Sequence, residues 1–563
     1  MKNKILEVDL TNKETKTKEI PQEKIKKWLG GRGLGAHLLH EQIKQNPEIN
    51  PLSEKNPVII TTGALTGYFP SANRTWVTTI SPLTGYYTTS SGGGHFAGEM
   101  RKNGYIAIKI TGKSEEPVHL EIDEEEIELK NTEEEYWNMK VYNIVKKARE
   151  ENYEPLSIGP AAEKGVRYAG VFPGYRSCSR GGTGTVLGEK KLKVILAKKE
   201  KKELETPENL KEIAQKKYKE VAGEREPRQK TLPLVGKINQ AEAYPTDNWK
   251  KPKFKNAEKE TGLTALKEYI TDKKSCFKCP IGCQDVMQSS YTGKGDGVEY
   301  EIAWAFGANL ANKNEEIIIA ANHLCDQYGI DVLNAAGAVA WAKEASKKDI
   351  IDYEWKGPES ILELIKKIGK REGIGEILGE GSRKAQEKYR EKDEDFSIDV
   401  RGMNLPAYDP RGLRGMSLTY SQGPRYGCHL KSWTVGQELA QSAEERTSPE
   451  GKPEMSYKIM VGRIITDSAS VCSFVGSYSQ EDYAGIYSKM LEEEITTNYL
   501  QKRAHEIQKL ERKIDEQRGI DKEKDKLPKR VLEEPVEVQK KKVKIGEEEL
   551  RKMNEKLYEL REI

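Results

Sequence analysis

At 563 residues, with 36% apolar and 33% charged residues and 49 glycines, the chain is several times the usual domain size and suits three or four domains around a large core. A formal net charge of +3 on that length argues against a general nucleic-acid surface and against an anionic membrane partner. The opening MKNKILEVDLTNKETKTKEI lacks an apolar signal core and no run of about 18 apolar residues follows, so the expected location is the cytoplasm, without a membrane span.

Residues 1–205 read as β-rich. PVIITTGALTG, TWVTTISPLTG, GYIAIKITGK, VHLEI, GVRYAGVF and KLKVILA place β-branched and aromatic residues between glycine turns. Three glycine clusters lie among them, at Gly30 to Gly35, at Ser91-Gly92-Gly93-Gly94 and at Arg180-Gly181-Gly182-Thr183-Gly184. Such loops serve as tight turns or bring backbone N–H groups up to a phosphate. The first touches the dinucleotide fingerprint but follows the helical-looking EKIKKWL, and the third fails the P-loop spacing. With Arg32, Arg74 and Arg180 close by in sequence, the clusters together point to a large anionic ligand with more than one phosphate.

Residues 206–400 change to helical periodicity in ENLKEIAQKKYKEVAG, EEIIIAANHLCDQYG, AAGAVAWAKEAS and SILELIKKIGKREG. Residues 401–563 open on RGMNLPAYDPRGLRGMSLTYSQGPRYG, a long connection of the kind that carries function. They continue into charged amphipathic sequence, where EEEITTNYLQKRAHEIQKLERKI fits one long helix. The expected fold class is α+β, a β-rich N-terminal domain followed by two mainly helical domains.

Seven cysteines in a chain of this type read as metal or catalytic thiols rather than a disulfide framework. Cys276, Cys279 and Cys283 fall within eight residues, a spacing that suits a loop around an iron–sulfur cubane and leaves zinc open as a second reading. The order of the gaps is the reverse of the radical-SAM spacing. A fourth ligand must come from Cys178, Cys325, Cys428 or Cys472. The interval from Asp467 to Cys472 repeats that from Asp326 to Asp331, as in a duplicated loop.

CxxCPIGC, the paired DxxGxD and DxxxxC loops, VEYEIAWAFGANL, YDPRGLRGM and Arg425-Tyr-Gly-Cys-His429 together resemble the aldehyde:ferredoxin oxidoreductase family, as do GGRGLG, SPLTGYYTTSSGGGHFAGEM and RGGTGTVLGEKKLK nearer the start. The resemblance covers nearly the whole chain. It implies that the first domain is a base for a tungsten or molybdenum bis-molybdopterin, closed over by the two helical domains. It implies Cys276, Cys279, Cys283 and Cys472 as ligands of a [4Fe-4S] cluster, with Arg74 between cluster and pterin. Ser91, Gly92, Gly93, Arg180 and Gly181 would meet the pterin phosphates and a bridging Mg2+. Asp326, Gly329, Ile330, Asp331, Asp467 and Val471 would form the pterin-holding loops, their carboxylates accepting from pterin amines. Glu301 and His429 would be the catalytic acid–base groups. Taken alone, Glu301 also reads as a helix N-terminal carboxylate and His429 as a core histidine, and His95 and His323 read as structural.

The implied reaction is oxidation of an aldehyde to a carboxylic acid, with electrons leaving through the cluster to ferredoxin; the family often forms dimers. The chain departs from the family pattern at Ser91, usually Asn, and at Ser470-Val471, usually Gly-Leu. It also ends at Ile563, where relatives continue through an Arg-Gly-Trp-Asp segment. Alternatives are a reductase of acids or aryl thioesters on the same cofactor, a non-catalytic iron–sulfur electron-transfer subunit, and a zinc-stapled structural protein.

Overall fold

The computed structural model describes residues 3–123, 126–132, 134–200, 203–224, 231–389 and 394–563. The β-rich reading of the N-terminal part holds, with more strands than the hydrophobic runs revealed. One six-stranded sheet contains β1 (Lys4–Asp9), β2 (Glu14–Glu19), β3 (Val58–Thr61), β4 (Thr75–Ile80), β5 (Tyr87–Gly92) and β6 (Tyr105–Thr111), in the order β2-β1-β6-β3-β4-β5. Its centre is dry: every residue of β3 and β4 is buried, and the Gly31–Ile43 helix packs across both. At the edge, β2 is exposed along its length, so ETKTKE has no apolar alternation to read and is a strand only by pairing with β1, Lys4 opposite Glu19.

A second sheet holds β7 (Val118–Ile122), β8 (Ile127–Asn131), β9 (Tyr153–Ile158), β10 (Val171–Pro173) and β11 (Leu192–Lys198), in the order β10-β9-β11-β7-β8. The glycine cluster at 30–35 opens the Gly31–Ile43 helix and follows the Gln22–Trp28 helix, in keeping with the rejection of a strand-preceded dinucleotide fingerprint.

The periodic segments that follow are helices at Glu208–Gly223, Glu315–Tyr328, Val332–Lys347 and Glu359–Lys370. Between them stands a small antiparallel sheet that periodicity missed, β12 (Ile270–Lys274), β13 (Gln284–Ser289) and β14 (Gly293–Asp296). The loop joining β12 to β13 carries Cys276, Cys279 and Cys283.

The stretch from Arg401 to Gly427, long for a structureless connection, has structure of its own: Met403–Asn404 pairs back on Asp399–Val400 and Met416–Ser421 is helical. One expectation needs correction. The long C-terminal helix begins only at Thr497, because the Thr496 side chain caps it by accepting from the Tyr499 N–H, while Glu492 ends the preceding helix in a left-handed conformation. Beyond Gln517 the chain makes a hairpin, Val536–Val538 with Lys541–Val543, and the Glu547–Arg561 helix.

A core cluster including Leu34, Leu65, Ile464, Ile486 and Ile507 joins the first glycine loop to the C-terminal helices, so the two ends of the chain share one interior. Among the described residues no helix is long and apolar enough to cross a membrane.

Candidate functional site

The cysteine loop is pinned to the N-terminal part by backbone and side-chain bonds. Phe277 N–H donates to Gly94 O at 3.0 Å, and Ser71 N–H donates to Lys278 O at 3.1 Å. The Phe277 ring lies on Gly98, where a Cβ would stand within 2.6 Å of three ring atoms, so only glycine admits the loop there. From the far end of the chain, Cys472 N–H donates to Ser71 O at 2.9 Å, bringing the fourth thiol to the same place. The Ser71 hydroxyl donates to Cys279 Sγ at 3.1 Å and Arg74 Nη2 donates to Cys472 Sγ at 2.8 Å.

All seven cysteines are free, and the four expected ligands line one cavity with Arg74, Ser91, Gly92, Gly93, Arg180, Asp326 and Asp331. Burial pushes the Cys283 thiol up to about 12 and raises that of Cys279. Among the described residues no three His, Cys, Asp or Glu side chains converge as a single metal ion requires. Four thiols around one shared cavity fit an iron–sulfur cluster.

The expected loop duplication is visible in the backbone. The Glu315–Tyr328 helix ends with Gly329 left-handed, Gly329 N–H on Asp326 O and Ile330 N–H on Cys325 O. The Lys452–Ala469 helix ends in the same way at Ser470, φ 59°, with Ser470 N–H on Asp467 O and Val471 N–H on Thr466 O. Both loops then bridge to the N-terminal part, Ile330 opposite Ala169 and Val471 opposite Ala72. Asp331 and Cys472 occupy matching places, and each meets an arginine: Arg180 Nη1 lies 3.3 Å from Asp331 Oδ2, and Arg74 holds Cys472.

Glu301 and His429 are far apart in sequence and together in space, with His429 Nε2 3.5 Å from Glu301 Oε1. Glu301 Oε2 accepts from Ala407 N–H at 3.0 Å, while Glu301 Oε1 has no hydrogen-bond partner and His429 Nδ1 has none either. Burial drives the Glu301 carboxyl up to about 8 despite the Ala407 hydrogen bond and the Arg180 charge. Burial, then the charges of Arg180 and Arg425, hold the His429 imidazole well below its usual range, so it is neutral. The His429 loop is tied back to the glycine-rich loop by Arg180, whose Nη2 donates to Gly427 O at 2.7 Å and to Asn404 O at 2.9 Å.

Some expected residues are engaged by protein groups, Asp326 among them although it also lines the cavity. Asp467 is ion-paired at 3.2 Å to Arg32, which is fully buried and forked onto Glu511 at 2.7 Å through both Nε and Nη2. Asp326 accepts from the Tyr142 hydroxyl at 3.2 Å, and burial, with Asp296 nearby, raises it well above the ordinary carboxylate range. Gly181 sits left-handed at φ 92°, its α-carbon against Thr88.

The sequence reading did not single out Lys431 or assign a role to Arg425. Lys431 is 3% exposed with its Nζ unpartnered, and Arg425 has an unpartnered, buried Nε. Burial, then the charges of Arg32 and Arg425, hold the Lys431 amine well below its usual range, since a buried cation without an acceptor is costly. Their signal lay in the GPRYGCHLK stretch, where two cations flank His429. On the cavity wall itself, Arg180, with its Nε buried and unpartnered, and the glycines Gly92 and Gly93 fit an anionic, multiply hydrogen-bonding cofactor.

The N-terminal domain model of aldehyde ferredoxin oxidoreductase matches residues 5–199, and the model of its domains 2 and 3 matches residues 208–563. A tungsten-containing aldehyde ferredoxin oxidoreductase of Pyrococcus furiosus is 35% identical over 95% of this chain and 92% of that protein. The aliphatic sulfonate oxidoreductase WOR-like subunit of the same organism is 28% identical over 84% of this chain and 79% of that protein. The solved active-site complex BamBC of benzoyl coenzyme A reductase, with 1,5-dienoyl-CoA, shares the fold at a TM-score of 0.83 and 21% identity, covering 100% of this chain and 95% of that one. The chain is an oxidoreductase that belongs to the aldehyde ferredoxin oxidoreductase family, whose cofactors are a tungsten bis-pterin and a [4Fe-4S] cluster.

Proposed function

We propose that this chain oxidises aldehydes to carboxylic acids at a tungsten or molybdenum bis-pterin. Electrons then pass through a [4Fe-4S] cluster on Cys276, Cys279, Cys283 and Cys472 to ferredoxin. The observation that carries the reading is the buried Glu301–His429 pair, 3.5 Å apart with an unpartnered heteroatom on each side. Ile302, the next residue after Glu301, lines the thiol-bearing cavity.

An aldehyde and one water give a carboxylic acid, two protons and two electrons. The cavity residues would hold a metal–pterin group able to accept an electron pair, and Cys276, Cys279, Cys283 and Cys472 would hold a cluster able to pass electrons singly. The protein must move the protons. Glu301, with its carboxyl near 8, exchanges a proton close to neutral pH, the range in which a general acid–base group is most effective. His429, neutral, offers a hydrogen bond to a carbonyl oxygen or a water without placing a charge beside Arg180 and Arg425. Arg180, on the cavity wall, supplies positive charge for an anionic pterin, and Arg74 sits against the Cys472 thiol where the two cofactors would approach.

Glu301→Gln and His429→Asn should each keep tungsten (or molybdenum) and iron at wild-type content and lose about 10²- to 10⁴-fold in aldehyde-dependent viologen reduction. A fully loaded variant with full turnover would remove that residue from the reaction. Loaded wild-type protein that consumes an acid or aryl thioester with a low-potential donor, and no aldehyde, would move the chain to the reductase alternative.

A further inference from the structure

Asn73 precedes the arginine that holds Cys472, and it is 1% exposed. Its Nδ2 donates to the Phe277 carbonyl at 3.0 Å, within the cysteine loop. A carbonyl can only accept, so this bond settles which way the amide is turned and makes the other end, Oδ1, an acceptor. Asn73 Oδ1 is buried and has no partner. A Cβ placed on Gly93 would stand 3.8 Å from Asn73 Oδ1, 3.5 Å from Arg74 Nη1 and 2.7 Å from Cys276 Sγ, so these three groups look into one small space. Asn73, Arg74, Gly93 and Cys276 all line the cavity shared by the four thiols.

The chemistry of the space selects its occupant. Thiolates and cluster sulfides only accept hydrogen bonds, so an iron–sulfur cluster on these cysteines does not satisfy an amide oxygen. A group carrying N–H donors does, and an amino-substituted heterocycle lying against Gly93 presents them. We infer that Asn73 is a two-ended positioning residue: Nδ2 anchors the cluster loop at Phe277, and Oδ1 accepts a hydrogen bond from an N–H of the pterin on the cluster side. This rests on the bis-pterin and cluster reading above, and it fixes the spacing of the two cofactors through one side chain.

The test uses full-length protein purified anaerobically from tungstate-supplied cells, with W, pterin and Fe quantified and the W(V) and reduced-cluster EPR signals recorded. Asn73→Leu removes both ends at similar volume; Asn73→Asp keeps an acceptor and loses the donor to Phe277. The expected result is that N73L loses tungsten and pterin on dialysis about fivefold faster than wild type, the effect of one hydrogen bond of about 1 kcal/mol, with a changed W(V) signal. N73D should retain tungsten at the wild-type rate and show its change in the cluster signal. Wild-type protein without tungsten and pterin would overturn both this inference and the cofactor reading. Loaded wild type with an N73L variant that sheds only iron, or sheds nothing, overturns the Asn73 inference alone, as does an N73D variant that loses tungsten as fast as N73L. Should N73L prove insoluble, Asn73→Ser, too short to reach at either end, takes its place with the same expectation.

Discussion

A carboxyl that keeps its proton to about pH 8 writes its surroundings into the stability of the cofactor-free chain. Glu301 is raised by burial from an ordinary value near 4.5, so between those values the folded state binds more protons than the unfolded state. Its contribution is therefore full below about pH 4.5 and is lost as pH rises through 8. Glu301→Gln should be increasingly more stable than wild type across that window, by at most about 4–5 kcal/mol at the upper end, as followed by denaturant titration at several pH values. An advantage independent of pH would contradict the buried-carboxyl account. Ser470 makes a second prediction at this scale: it is left-handed where the matching loop has Gly329, and its hydroxyl is buried without a partner. Ser470→Gly relieves both and should raise the thermal midpoint by the equivalent of about 1 kcal/mol. Single residues were legible to different depths. The cysteine triad announces itself because a cluster loop must be local, whereas Lys431 becomes conspicuous only when its amine is found buried without an acceptor.

The elements that were easiest to read are those whose apolar face repeats along one segment. Glu208–Gly223 and Glu315–Tyr328 follow their sequence periodicity closely. By contrast, β2 and the β12–β14 sheet escaped, since ETKTKE and GKGD are polar and are strands only through their neighbours. The functional hairpin is one of these weakly encoded elements. Its loop is held by Phe277 N–H on Gly94 O, by Ser71 N–H on Lys278 O and, through its fourth thiol, by Cys472 N–H on Ser71 O. Removing iron with a chelator should therefore speed hydrogen exchange at Phe277, Ser71 and Cys472 while leaving the β3–β4 amides protected. Equal loosening in β3 and β4 would mean that the cluster supports the whole sheet rather than the loop.

At the scale of the molecule, the glycine loop at residues 30–35 and the Thr497–Gln517 helix are locked by Arg32 on Glu511, both fully buried. Arg32→Leu would strand Glu511, and Asp467 with it, and should destabilise the chain by about 3–5 kcal/mol, measured by chemical denaturation; a neutral effect would show that these carboxylates find other partners. No sequence pattern announces such a pair, because nothing local relates position 32 to 511, and the same is true of Glu301 with His429. With Cys276, Cys279, Cys283 and Cys472 as the cluster ligands proposed above, their division between the hairpin at 276–283 and Cys472 also sets a timetable for synthesis. A ribosome moving at about 5–20 residues per second needs roughly 10–40 s to travel from the third cysteine to the fourth. During that interval the nascent chain offers three ligands and no fourth, so a fully ligated cluster cannot be completed. On that assignment, maturation is a late event timed by the arrival of Cys472, and a chain truncated before it leaves the ribosome with one ligand missing.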